Sequence, residues 1–166
     1  MKNLKLTLTF SALFLFFFGP LTQAQEIIFN DATFKKSLVK NKKINTNGNS
    51  EIEIWEAMDY EGYINVSNRG ILDLTGIEYF PSITKLNVSY NKLEKLDLGS
   101  NLALEEVYCN HNKIQKFDVS NLYELKVLQA SNNRIAKIQL GNNTKLISLS
   151  LSDNFLTELD LSLIHI

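Results

Sequence analysis

The 166-residue chain has one cysteine, two histidines and almost no net charge, and each shortage removes a class of protein. With Cys109 alone, no internal disulfide can staple the fold, even in a compartment that would oxidise one. Lys+Arg 17 against Asp+Glu 18 leave neither a basic excess for nucleic acid nor an acidic run for a solvating tail. His111 is the one histidine before the last six residues. It has no Cys or Ser nucleophile in a recognisable motif beside it, and no carboxylates are paired at a defined spacing. That inventory argues against an enzyme and leaves binding as the function class.

Long apolar runs are equally scarce. The longest, Leu6 to Phe18, follows Lys2 and Lys5 and precedes a small-residue site ending in Ala24. It is shorter than the roughly 20 residues of a membrane span, so residues 1–24 are expected to be an export signal cleaved after Ala24. Without Lys2 and Lys5 the balance becomes 15 against 18. No Cys follows the cleavage point to take a lipid anchor, and no later segment can span a membrane.

What the sequence does have is a period. Written in rows of 21 from Ile83, residues 83–160 place Leu86, Val107, Leu128 and Leu149 in one column and Val88, Cys109, Ala130 and Leu151 in the next. Leu93, Ile114, Ile135 and Leu156 form a third, and Leu96, Phe117, Ile138 and Leu159 a fourth. Asn91, Asn112, Asn133 and Asn154 make an unbroken polar column among them. No row can cover its own apolar face, so only stacking completes a core. A degenerate row over 64–82 has Ile64, Val66, Ile71, Leu74 and Ile77 in place but Arg69 in the Asn column.

The alternation at the start of each row predicts a short strand with Leu or Val inward and its neighbours outward, successive strands pairing in parallel. The Asn that ends each strand can donate to and accept from backbone groups of adjacent turns, so that column is expected to be structural. Cys109 shares a column with Val88 and Ala130 and reads as a small buried hydrophobe. The second half of each row alternates again and is too short for a regular helix, so the outer side should be extended, with Asp97, Asp118 and Asp160 bonding local backbone. The outward, concave residues include Lys85, Asn87, Ser89, Tyr90, Glu106, Tyr108, His111, Gln129, Ser131 and Asn132. Tyrosine offers large amphipathic area at low entropic cost, which makes Tyr90, Tyr108 and His111 the expected contact patch.

Residues 25–63 do not follow the repeat and read as a helix-loop-helix cap, with helices near 30–40 and 53–60. The loop between them resembles a calcium-binding hand, with Asn45, Asn47, Asn49 and Glu51 at its first, third, fifth and seventh positions and Glu56 at its twelfth. It departs from the hand at Asn45, where Asp is usual, and at Ser50, where Gly is usual. Loss of ligand charge leaves a weak calcium site or a loop that keeps only the hand's shape and covers the first strand's edge.

Taken together, the Asn-Thr-Asn-Gly-Asn loop, the degenerate row and the four Asn rows resemble the internalin-type leucine-rich-repeat proteins of bacteria. The resemblance implies an α/β leucine-rich-repeat solenoid, secreted or held at the cell surface, that binds a protein or surface glycan through its concave sheet as a monomer. The alternative is an inert spacer segment of a larger truncated adhesin or surface enzyme. After Leu161 and Ser162 the register calls for a polar turn but finds Leu163-Ile164-His165-Ile166. Residues 161–166 resemble read-through of a sequencing-adapter end and are expected to be a non-native tail.

Overall fold

Rows that cannot bury their own apolar face must stack, and the computed structural model, which describes residues 25–162, is a stack. The expected export signal and residues 163–166 of the expected tail lie outside the described residues. Strands β1 (Gly62–Asn65), β2 (Ile83–Asn87), β3 (Glu106–Tyr108), β5 (Val127–Gln129) and β7 (Ser148–Ser150) form one parallel sheet in that order. The register advances by a whole row at each step, so Ile64, Leu86, Val107, Leu128 and Leu149 lie side by side. A column of the sequence is thus a line of neighbours in space.

The opposite side of the coil is extended, as its alternation requires. There β4 (Lys116–Asp118) and β6 (Lys137–Gln139) pair in parallel, Phe117 beside Ile138. Between the two sheets Leu86, Val88, Leu93, Val107, Cys109, Ile114, Leu128, Ala130 and Ile135 have no exposed surface. Burial pushes the Cys109 thiol far above its ordinary pKa, so it stays protonated and acts as core. In the row holding β7, which has a neighbour on one side only among the described residues, Leu149, Leu151 and Leu156 are partly buried.

The asparagine column joins these rows. Asn112 Nδ2 donates to Cys109 O of its own row at 3.1 Å and to Val88 O of the preceding row at 2.9 Å, and Asn112 Oδ1 accepts from Leu93 N at 3.0 Å. Asn133 does the same with Ala130 O, Cys109 O and Ile114 N. Asn91 and Asn154 repeat the pattern. Each carbonyl from Val88 to Ala130 in this line is therefore shared by two asparagines, one per row.

A second line of buried amides, absent from the sequence reading, serves the row ends. Asn101 Nδ2 donates to Ile77 O and Phe80 O at 2.8 and 2.9 Å, and Asn143 Nδ2 donates to Leu122 O and Val119 O at 2.8 and 3.0 Å. Asp97 and Asp118 each accept the N–H two residues on, from Gly99 and Ser120, both at 2.9 Å. Gln139 takes their place one row later, and there Asn143 Oδ1 accepts from Gly141 N instead, at 3.0 Å.

Ahead of β1 stand two short helices, α1 (Ala32–Val39) and α2 (Ile54–Asp59). Asp31 caps α1 by accepting from Thr33 N and Phe34 N, and its second oxygen accepts from Leu72 N at 2.8 Å, tying the helix to the degenerate row. Phe34, Leu38, Ile44 and Ile52 join the same core as the repeats. Gly76 is required at this junction: its φ is +107°, and a Cβ there would sit 2.5 Å from the Phe29 ring.

Candidate binding surface

On the concave sheet the outward residues of β1, β2 and β3 interlock. Lys85 Nζ lies 2.7 Å from Glu106 Oε2, and the Tyr108 hydroxyl donates to the same oxygen at 2.8 Å. The Lys85 ammonium also sits over the Tyr63 and Tyr108 rings, 5.3 and 5.0 Å from their centroids. The hydrogen bond from Lys85, then that from Tyr108, lowers the Glu106 pKa, while the bond to Glu106 raises those of Lys85 and Tyr108. The lysine and glutamate stay charged at neutral pH and cancel, leaving an aromatic surface with little net charge.

Beyond the strand ends the chain takes a left-handed turn in every row. The residues there are Asn68, Tyr90, His111, Asn132 and Asp153, with φ between 54° and 59°. Asn, Asp and His adopt this conformation more readily than other side chains, whereas for a bulky residue such as Tyr it costs about 1 kcal/mol or more. Tyr90 and His111 nonetheless occupy it in adjacent rows, with rings stacked 4.3 Å apart and inclined by 14°. Tyr90 keeps 58 % of its surface exposed, and His111 is exposed beside it.

The remaining concave residues are quieter. Asn87 Oδ1 accepts from Ser89 N at 3.0 Å, Gln129 Nε2 donates to Ser148 Oγ at 3.2 Å, and Asn132 is exposed at its turn. Ser89 and Ser131, expected to face outward, are buried. Alternation has ended at that point of the row, and the Ser131 hydroxyl bonds those of Ser150 and Ser152 at 2.7 and 2.9 Å rather than solvent.

The hand-like loop is closed on itself. The single side-chain oxygens of Asn45, Asn47 and Asn49 accept from Gly48 N, Asn49 N and Glu51 N, while the three amide nitrogens donate to carbonyls and to Glu53. Glu51 pairs with Lys35. Glu56, almost wholly buried, accepts from Thr46 N, Thr46 Oγ1, Asn47 N and Glu53 N. With amide nitrogens where a hand presents carboxylate oxygens, these residues do not fit a calcium ion as arranged. Burial alone would raise the Glu56 pKa, but its hydrogen bonds with Glu53, Asn47 and Thr46 outweigh burial and hold it below the ordinary 4.5. A depressed carboxyl stabilises the fold above its unfolded pKa and loses that contribution as pH falls through the folded value. Thermal melts should therefore show no shift with millimolar calcium at neutral pH and a falling Tm below about pH 4, more steeply than in Glu56→Gln.

Among the described residues no group of His, Cys, Asp and Glu is placed to hold a metal ion, and no helix is long and apolar enough to cross a membrane. No family model and no curated protein matches the sequence. Solved structures do. The functional domain of InlJ from Listeria monocytogenes, described as including a cysteine ladder, superposes with a TM-score of 0.67 at 25% identity, over 84% of this chain and 32% of that one. An internalin, inlF, from the same organism superposes with a TM-score of 0.63 at 20% identity, over 84% of this chain and 49% of that one. The chain thus spans a third to a half of the length of these structures. With parallel 21-residue rows, an asparagine line between them and these two likenesses, the chain carries a leucine-rich-repeat solenoid of the internalin type.

Proposed function

We propose that this is a non-enzymatic, exported bacterial protein whose concave sheet binds an extracellular protein or glycan, with the surface of Tyr63, Lys85, Tyr90, Tyr108 and His111 as its centre. The observation that carries this reading is the Tyr90–His111 stack. Tyr90, held exposed on a turn where other rows use Asn or Asp, incurs strain that folding does not need, and an exposed aromatic made rigid by stacking is what binding hot spots are made of. The threefold use of Lys85, which pairs with Glu106 and sits over two rings, preorganises the same surface. The helical segment 25–63 serves as the cap of the first row.

The test uses residues of the chain's own choosing. Tyr90→Asn with His111→Asn gives these rows the residue found at Asn68 and Asn132, so the double variant should fold at least as well as the parent. On arrays of extracellular proteins and of glycans, a ligand of the parent should bind the double variant about thirtyfold more weakly, the effect of losing one hot spot. A folded parent with no ligand on either array, or a ligand indifferent to the double variant, would favour the second reading, a spacer within a longer surface protein. That reading draws on the partial coverage of the two Listeria structures.

A further inference from the structure

Residues one repeat apart lie at about the 4.8 Å spacing of paired strands, so the charges in a column decide whether adjacent rows attract or repel. Three columns alternate in sign, and each makes an ion pair between rows: Lys85 with Glu106 at 2.7 Å, Glu105 with Lys126 at 2.6 Å, and Glu124 with Lys145. Two columns do the reverse. Lys92, Lys113 and Arg134 follow the ladder asparagines, and Lys95, Lys116 and Lys137 stand three residues further along the same rows. Lys116 and Lys137 are direct register partners in the outer sheet. Lys113 is half-buried and the other five are exposed, and none has an ion-pair partner among the described residues.

Like charges side by side oppose stacking, so a repeated sign calls for a reason. For the neighbouring acidic column the reason is structural, since Asp97 and Asp118 accept turn N–H groups. A lysine or arginine has no acceptor to offer a turn, and these six make no side-chain hydrogen bond among the described residues. Glu94, Asp97 and Asp118 are the only acids between Lys92 and Gly99, Lys113 and Ser120, and Arg134 and Gly141, which leaves these three rows with six cations against three acids, and the lysine column is bounded by Asp73 before it and Glu158 after it. The chain's near-zero net charge conceals it. An open groove of about 420 Å³ runs along this side, lined by Leu96, Phe117, Lys116, Lys137 and Gln139 and by Asp97 and Asp118, whose carboxylates are already engaged by turn N–H groups.

We infer that this outer flank is a second binding surface, separate from the concave sheet, for a linear polyanion that carries a phosphate or sulfate group on each repeating unit and lies along the axis of the coil. A polymer in that direction meets a fresh pair of cations at each of three successive rows, about 5 Å apart. It also relieves the repulsion that the bare columns impose on the stack.

Titrations of the whole chain with a long inorganic polyphosphate and with a sulfated oligosaccharide test the inference. With about four contacts, affinity should fall roughly fiftyfold between about 50 and about 200 mM salt. Reversal of Lys113, Lys116, Arg134 and Lys137 to Glu should weaken binding at least tenfold, and the milder change of the same four to Gln should follow it if the reversed chain folds poorly. Reversal of Lys36, Lys40, Lys42 and Lys43, an equal change in net charge on the N-terminal segment, should leave binding intact. The Tyr90→Asn, His111→Asn chain should also bind normally, so the result stands apart from the concave-sheet reading. Binding of either probe supports the inference, and the tighter probe identifies the anion. No binding at low salt, or equal loss in the two reversed chains, overturns it.

Discussion

Asn112→Ala should lower the unfolding free energy by about 3 kcal/mol, a large share of the roughly 5–15 kcal/mol of a typical domain. Its amide makes bonds to Val88 O, Cys109 O and Leu93 N. The two carbonyls keep a second asparagine each, Asn91 and Asn133, but Leu93 N–H is left buried without an acceptor. One orphaned buried N–H costs about 1–3 kcal/mol, and the lost bonds and the gap add to it. Asn112→Leu fills the gap without restoring an acceptor and should be no better. Asn154→Ala removes the same set of bonds where Asn154 is only part-buried, so water replaces the amide and the cost should stay near 1 kcal/mol. Urea unfolding of the three variants checks the ranking, and equal losses at positions 112 and 154 would refute the account in which the buried, orphaned N–H sets the cost.

Gly141→Ala should cost about 3 kcal/mol, for a reason that has nothing to do with backbone freedom. A Cβ at this position would lie 2.3 Å from Ser120 O and 2.8 Å from Ser120 Cα, so the backbones of two rows would have to separate. The glycine one repeat pair earlier is the control. At Gly99 a Cβ would meet only Asp97 Oδ1, at 3.3 Å, a side-chain atom that can give way. Gly99→Ala should therefore cost less than about 1 kcal/mol in the same unfolding assay. A mild Gly141→Ala would mean that rows slide apart more easily than close packing allows.

The repeat architecture was legible because its signal is redundant: four rows state the same apolar columns, and a parallel stack is the arrangement that buries all of them. Features stated only once, or stated differently in each row, were not legible. The second amide line escaped notice because Leu122 stands between Asn101 and Asn143, and one alternate residue hides a column. The left-handed turns are not marked by glycine. Five rows fill them with Asn, Tyr, His, Asn and Asp, and only the dihedral angles reveal that Tyr90 and His111 share a left-handed position. Alternation named most of the outward residues of the sheet, yet it was carried one position too far at Ser89 and Ser131. The cationic flank is spread over residues 92 to 137, and a charge total cannot see that distant residues stand in line. The hand-like loop was legible in part. Its spacing suggested ligands and its neutral amides a loss of ligand charge, but which way those amides turn, with oxygens on turn N–H groups and nitrogens on Glu53 and carbonyls, needs coordinates.

The ion pairs between rows give the stack an addressing system that the asparagine line lacks. If residues 104–124 were excised, Asn133 would follow Asn91 and the line of shared carbonyls would close without a gap, because every rung is the same chemistry. The charges would not match. Lys126 would then face Thr84, Lys85 would face Val127 and Lys145 would face Ala103, so all three pairs that hold the present order would vanish together. Gain, loss or exchange of rows by recombination can thus preserve the coil while rewriting its surface. The rows are interchangeable as architecture and individual as recognition.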